Sequence, residues 1–148
     1  MSDSRRHPAP PTLFCFGLGF SAMALARLLM VEGWRVAGTC RDEKCRPDLE
    51  RQGIATFPYE AGRPVDWLEA LAPVTDILVS IPPDAEGDPV LRQFAPTLRT
   101  LPRLRWLGYL STTGVYGDTG GALIDETAPL RPSSRRSEQR VRAERAWL

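Results

Sequence analysis

A short apolar run, a glycine turn and a helical pattern follow one another near the start of this sequence and most constrain its fold. Residues 12–16 predict a buried strand, residues 21–32 predict a helix, and Gly17-x-Gly19-x-x-Ala22 joins them. Gly17 allows a sharp turn, Gly19 leaves the backbone open to a phosphate, and Ala22 lets helix and strand pack closely. The stretch predicts a dinucleotide-binding turn; the alternative is a glycine-rich strand-to-helix turn with no ligand.

Strand-like and helix-like segments alternate along the rest of the chain. Further strands are predicted at 34–39, 54–57, 75–81 and 104–111, and helical segments at 47–52, 65–71, 89–101 and 133–148, with a break or bend at Pro96. This alternation predicts the α/β class with a doubly wound parallel (Rossmann) sheet in the strand order 3-2-1-4-5 and a ligand at the carboxyl ends of the strands. Residues 1–11 are predicted to be a disordered tail, and residues 12–148 the nucleotide-binding domain.

Composition narrows the classes of function. The 148 residues carry a net charge of +1 and are 43% hydrophobic, which is typical of one soluble domain without a strong attraction for nucleic acid. No apolar run is long enough to cross a membrane, and no signal peptide is present, so we expect a cytoplasmic protein. Cys15 is predicted to lie in the core, and Cys40 and Cys45 lack the spacing of a zinc pair, so no metal site is expected. The only histidine, His7, falls in the tail, which argues against a histidine base.

The end of the second predicted strand bears on the choice of cofactor. An acid about 20 residues past the glycines marks NAD-binding units, but here Arg41 comes first, followed by Asp42. A guanidinium can hold a 2′-phosphate through two parallel hydrogen bonds, so NADP is favoured and NAD remains possible. In the alternative, Arg41 is solvated and Asp42 turns to the ribose. Glu60, after the third strand, can accept from an adenine amino group or remain an ordinary loop carboxylate.

Two segments together resemble a known family. The glycine turn with Arg41, and the run Leu110-Ser111-Thr112-Thr113-Gly114-Val115-Tyr116-Gly117-Asp118 after the fifth strand, resemble the NAD(P)-dependent epimerase/dehydratase group, an extended and partly atypical branch of the short-chain dehydrogenases/reductases. The resemblance runs from residue 12 to residue 148, about half of a family member. It implies that the further residues contacting the cofactor are Phe20, Ser21, Ser80, Ile81 and Arg140.

The resemblance also assigns roles around the reacting group. Thr112 matches the hydroxyl residue that hydrogen-bonds the reacting carbonyl or alcohol, although a hydroxyl that only satisfies a local backbone group is equally consistent. Tyr116 belongs to the signature and is not the catalytic tyrosine. The tyrosine and lysine positions of the family's Tyr-x-x-x-Lys pair are occupied by Arg136 and Arg140. A guanidinium does not donate a proton in the useful pH range, so ordinary hydride-transfer chemistry is in question.

Two functions therefore stand at this point. The first is an NADP-preferring oxidoreductase or epimerase acting on a small molecule, with a nucleotide sugar as one option. The second is a non-catalytic NADP-binding sensor or scaffold, which the missing tyrosine favours.

The arginines of residues 131–145 alternate with glutamates and are interpreted as a solvated helix face, not a nucleic-acid patch. The uncapped last helix and the apolar fifth strand at a sheet edge predict a piece of a longer protein, or association into a homodimer through that edge; a naturally short protein is the alternative.

Overall fold

The computed structural model describes residues 9–148, and these form a five-stranded, all-parallel sheet in the order β3-β2-β1-β4-β5. The predicted fold class and strand order are thus confirmed. Residues 1–8 of the predicted tail, with His7, lie outside the described residues. The strands are β1 (Thr12–Phe16), β2 (Arg35–Cys40), β3 (Ala55–Pro58), β4 (Asp76–Val79) and β5 (Trp106–Tyr109), and the helices are α1 (Phe20–Val31), α2 (Arg46–Arg51), α3 (Pro89–Thr100) and α4 (Arg135–Trp147).

The central strand β1 is buried along its whole length because both faces of the sheet are covered. Leu13 and Cys15 point to the face covered by α1 and α2, whereas Phe14 and Phe16 point to the face covered by α3. Ala22 and Ala26 of α1 are fully buried, so the small residues allow that helix to lie close to the sheet. This packing puts the start of α1 directly over the carboxyl end of β1.

Four predicted elements differ clearly from the observed ones. The helix expected at 65–71 is only a 3₁₀ turn at Leu68–Leu71, since the indole of Trp67 turns inward and donates to the Pro58 carbonyl at 2.8 Å. Helix α3 continues through Pro96, because burial of Val90, Phe94 and Leu98 outweighs the backbone hydrogen bond that proline removes, a loss of roughly 3 kcal/mol or more. Strands β4 and β5 are each four residues long, shorter than the predicted 75–81 and 104–111.

Strand β5 lies at one edge of the sheet, and α4 packs back against it. Trp147 of α4 stacks on Tyr109 with ring centroids 6.1 Å apart, whereas Trp106 at the other end of β5 is 47% exposed. Strand β5 is therefore partly covered by α4 at its carboxyl end and exposed at its amino end. Among the described residues, no helix combines the length and the apolar character needed to cross a membrane.

Candidate functional site

Gly17 begins the turn after β1, and two side chains from neighbouring strands hold its peptide groups. Its φ of +93° suits glycine, and a Cβ there would lie 2.8 Å from the Ser80 Oγ. Its N–H donates to the Thr39 Oγ1 at 2.8 Å, and its carbonyl accepts from the Ser80 Oγ at 2.6 Å. Thr39 is the penultimate residue of β2, and Ser80 directly follows β4. Side chains from both neighbouring strands therefore hold the turn at the point where the strand order reverses.

At Gly19, by contrast, nothing in the described part of the chain requires a glycine. Its φ of −84° is open to any residue, and no atom of the described residues lies within 4 Å of a Cβ built there. It caps α1 without a side-chain hydrogen bond, and the N–H groups of Phe20, Ser21 and Ala22 have no partner within residues 9–148. The start of α1 therefore offers open space, free donors and the positive end of a helix dipole, which together suit a phosphate.

The residues expected at the adenosine end lie after β2 and β3, at the same edge of the sheet as this turn. Arg41 is exposed, and its guanidinium forms no hydrogen bond or ion pair within the described part of the chain. Asp42 instead accepts from the Lys44 N–H at 2.9 Å and stabilises its own turn. Glu60 pairs with Arg63 at 2.9 Å in an exposed ion pair, which is worth less than about 1 kcal/mol and can open for a ligand.

Ser80 and Ile81 directly follow strand β4. Ser80 lies beside Gly17, but its hydroxyl is engaged with backbone carbonyls of the turn, so it braces the site. Ile81 is half-buried against the core on the α3 face.

Sequence reasoning missed Thr39, whose partner Gly17 is 22 positions away in the sequence. The available signal was a hydroxyl residue at the end of the strand that neighbours the glycine turn.

A second candidate region follows β5, and it brings together the three residues that the resemblance marked for chemistry. Thr112, Arg136 and Arg140 line one cleft of about 370 Å³. Its remaining walls come from the loop after β5 and the start of α4: Gly114, Gly117, Ser133, Ser134 and Ser137. Thr112 and Arg136, which are 24 positions apart in the sequence, thus line the same cleft.

Thr112 and Arg136 are exposed in this cleft, and Arg140 is not. The Thr112 Oγ1 accepts from the Gly114 N–H at 3.3 Å and caps a 3₁₀ turn at Thr113–Tyr116, which leaves its own proton available to donate. Arg140 is only 8% exposed, and its Nη1 donates to the Leu110 carbonyl at 2.6 Å and to the Tyr109 hydroxyl at 3.3 Å. Burial raises the pKa of Tyr109, and the neighbouring Arg140 charge opposes that rise. Arg140 thus ties α4 to the end of β5.

Comparison with solved structures identifies the fold. A functionally unknown conserved protein from Silicibacter pomeroyi is 40% identical over 93% of this chain, with a TM-score of 0.80. UDP-glucuronic acid 4-epimerase from Bacillus cereus, a mutant solved with NAD and a UDP-sugar, gives a TM-score of 0.71 at 15% identity over 92% of this chain. The dTDP-glucose 4,6-dehydratase from Bacillus anthracis, solved with NAD, gives 0.69 at 19% identity over 93%. The chain has the fold of NAD-dependent epimerases and dehydratases.

The predicted resemblance to the epimerase/dehydratase group is therefore confirmed as a likeness of fold. The chain spans about half the length of these structures, since it covers 47% of the Silicibacter protein, 51% of the epimerase and 49% of the dehydratase. No protein-family model matches the sequence, and no curated protein matches it significantly.

Proposed function

We propose that this chain binds an NAD(P) dinucleotide, with the pyrophosphate at the turn between β1 and α1. Gly19 carries the proposal, because neither its backbone angles nor its protein surroundings require a glycine, whereas an approaching phosphate does. The unpartnered N–H groups at the start of α1 supply the donors that a phosphate needs. Residues 12–148 would then be the nucleotide-binding domain, and NAD in two of the compared structures supports the same class of ligand.

Within this proposal, the cofactor is NADP in preference to NAD. Arg41 has no competing partner in the described residues, while Asp42 already accepts from its own turn and is less available to a ribose. Glu60 would accept from the adenine amino group after its ion pair with Arg63 opens. Phe20, Ser21, Ser80 and Ile81 would border the pyrophosphate and nicotinamide side of the site.

Calorimetric titration with NADPH and NADH tests both statements. We expect tighter binding of NADPH, and we expect Arg41→Ala to weaken NADPH alone by about 1.5–3 kcal/mol, the range for a charge-assisted hydrogen bond. Arg35→Ala is the matched control, because it removes the same charge from the exposed amino end of β2, the strand that Arg41 follows. Equal affinity for the two dinucleotides would contradict the NADP preference, and binding of neither would contradict the function.

The reaction we propose is of the oxidoreductase or epimerase type, on a small molecule that includes a nucleotide sugar as one option, since the two named neighbours act on UDP- and dTDP-sugars. The nicotinamide, when bound, supplies hydride transfer. Thr112 would donate its free hydroxyl proton in a hydrogen bond to the reacting oxygen. Arg140, committed to Leu110, would reach a ribose only with its remaining nitrogens.

One observation favours a second candidate, a non-catalytic NADP-binding sensor or scaffold. Arg136 lines the cleft where the resemblance expects a proton-donating tyrosine, and a guanidinium does not release its proton near neutral pH. Absorbance assays of NADPH oxidation with a panel of carbonyl substrates separate the two candidates. Turnover that falls in Thr112→Val supports the enzyme; tight NADPH binding with no turnover supports the sensor.

Size-exclusion chromatography tests the homodimer expected from the open β5 edge.

A further inference from the structure

The cleft beside α4 holds more positive charge than the described protein neutralises. Arg140 is more than nine-tenths buried, and its Nε has no hydrogen-bond partner within residues 9–148. Neither Arg140 nor Arg136 belongs to any ion pair formed by the described residues. A buried charge without a counter-charge is costly, so its retention points to an anion that arrives from outside.

The position of the cleft at a helix start adds an independent argument. Arg135 and Arg136 occupy the first turn of α4, where the helix dipole disfavours cations. The capping box uses the Ser134 and Ser137 hydroxyls on each other and on the helix backbone, so they do not neutralise the arginines. Glu138 also lies in the first turn but borders a different groove. On the cleft side the dipole and the arginine charges therefore add to a positive potential, and an anion in the cleft would relieve the repulsion.

The hydrogen-bond donors in the cleft are of the kind that binds oxyanions. Arg136 is exposed and lines the cleft, so its planar guanidinium can form two parallel hydrogen bonds to a carboxylate or a phosphate. The hydroxyl proton of Thr112 is free to donate, because in the hydrogen bond with the Gly114 N–H the hydroxyl oxygen accepts. The cleft is about 370 Å³, large enough for a small-molecule group.

We propose that this cleft binds an oxyanion, a carboxylate or phosphate group of the substrate, through Arg136, Thr112 and the buried charge of Arg140. The inference deepens the proposed function by naming the substrate class, an anionic small molecule, and in that sense rests on it. Binding of the oxyanion itself requires no dinucleotide, so the two proposals can fail separately.

The experiment titrates the full chain with inorganic phosphate and, separately, with malonate at constant ionic strength, followed by calorimetry and by the ¹⁵N-resolved Nε–H signal of Arg140. We expect saturable binding of at least one probe, with a shift of the Arg140 signal. Binding of phosphate alone identifies a phosphoryl group, and binding of malonate alone identifies a carboxylate. No saturable binding of either probe overturns the inference.

Three variants locate the bound anion. We expect Arg136→Gln to weaken binding by about tenfold or more. Arg142→Gln is the matched control, because Arg142 lies on the same helix but borders a different groove. Arg41→Ala tests whether the probe has occupied the proposed cofactor site instead. An equal loss in Arg136→Gln and Arg142→Gln, or a loss confined to Arg41→Ala, overturns the inference.

Parallel titrations with NADPH keep the two proposals distinguishable. Arg136→Gln is expected to bind NADPH as the wild type does, since Arg136 lies on α4 and the pyrophosphate turn lies between β1 and α1. NADPH binding without anion binding overturns the oxyanion site and leaves the dinucleotide site intact. Anion binding that is lost in Arg136→Gln, in a chain that does not bind NADPH, supports the oxyanion site and contradicts the proposed function.

Discussion

The two candidate regions lie at the same end of the sheet but are built from different parts of the chain. The turn after β1 presents backbone N–H groups and open space at Gly19. The cleft after β5 presents side chains, above all Arg136 and Arg140. Glycine identity directly sets the main-chain geometry of the first region. The second depends on what each guanidinium meets in the folded protein.

The largest effect should come from Gly19→Val. A Cβ at position 19 meets no described protein atom within 4 Å, so the variant should fold, and the branched side chain should fill the space that a pyrophosphate needs. We expect NADPH binding to fall below detection in calorimetry, while the thermal unfolding midpoint changes little. Retained affinity in a folded variant would mean that the turn has only a structural role.

Gly17→Ala should give the opposite result, a loss of stability. Alanine would have to adopt the φ of +93°, and its Cβ would press on the Ser80 Oγ. The strain should lower the free energy of unfolding by about 1–3 kcal/mol, measured by urea denaturation. Gly62→Ala is the control, because its φ is also positive but its surroundings are open, so it isolates the backbone part of the cost. An equal loss in both variants would remove the contact with Ser80 from the explanation.

In the cleft, substitution of the buried Arg140 should lower the free energy of unfolding, whereas substitution of the exposed Arg136 should leave it nearly unchanged. Arg140→Ala removes the hydrogen bond to Leu110 and the contact with Tyr109, but also an unpaired charge, so we expect a net loss of about 1 kcal/mol. Arg136→Ala should stay within about 0.5 kcal/mol, as surface substitutions usually do. A larger loss for Arg136→Ala than for Arg140→Ala would contradict the division into a tether and a ligand-binding side chain.

The last effect concerns Cys15, which lies in β1 just before the glycine turn. Burial raises the pKa of its thiol from 9.0 to about 12. Between these values the unfolded chain loses the proton and the folded chain keeps it, so the free energy of unfolding should fall as pH rises, by at most about 1.4 kcal/mol per pH unit. Urea unfolding at about pH 8 and about pH 10 measures the slope. Cys15→Ala should reduce it, and an unchanged slope would contradict the assignment.

Much of the fold was predictable because the decisive signals are local. The apolar run 12–16, the glycine turn and the alternation of strands and helices fix the sheet order. The break expected at Pro96 does not occur, because the cost of proline is local, whereas the burial of Phe94 that offsets it is a tertiary effect. The bracing by Thr39 and the burial of Arg140 are tertiary as well, since each joins residues more than twenty positions apart.

The hydroxyls of Thr39 and Ser80 hold both polar groups of the Gly17 peptide backbone at hydrogen-bond distance before any ligand arrives. The turn therefore has little conformational entropy left to lose on binding, and ordering it should subtract almost nothing from the affinity. Association with a dinucleotide should then proceed in a single kinetic phase, at a rate set by encounter and orientation instead of by loop rearrangement.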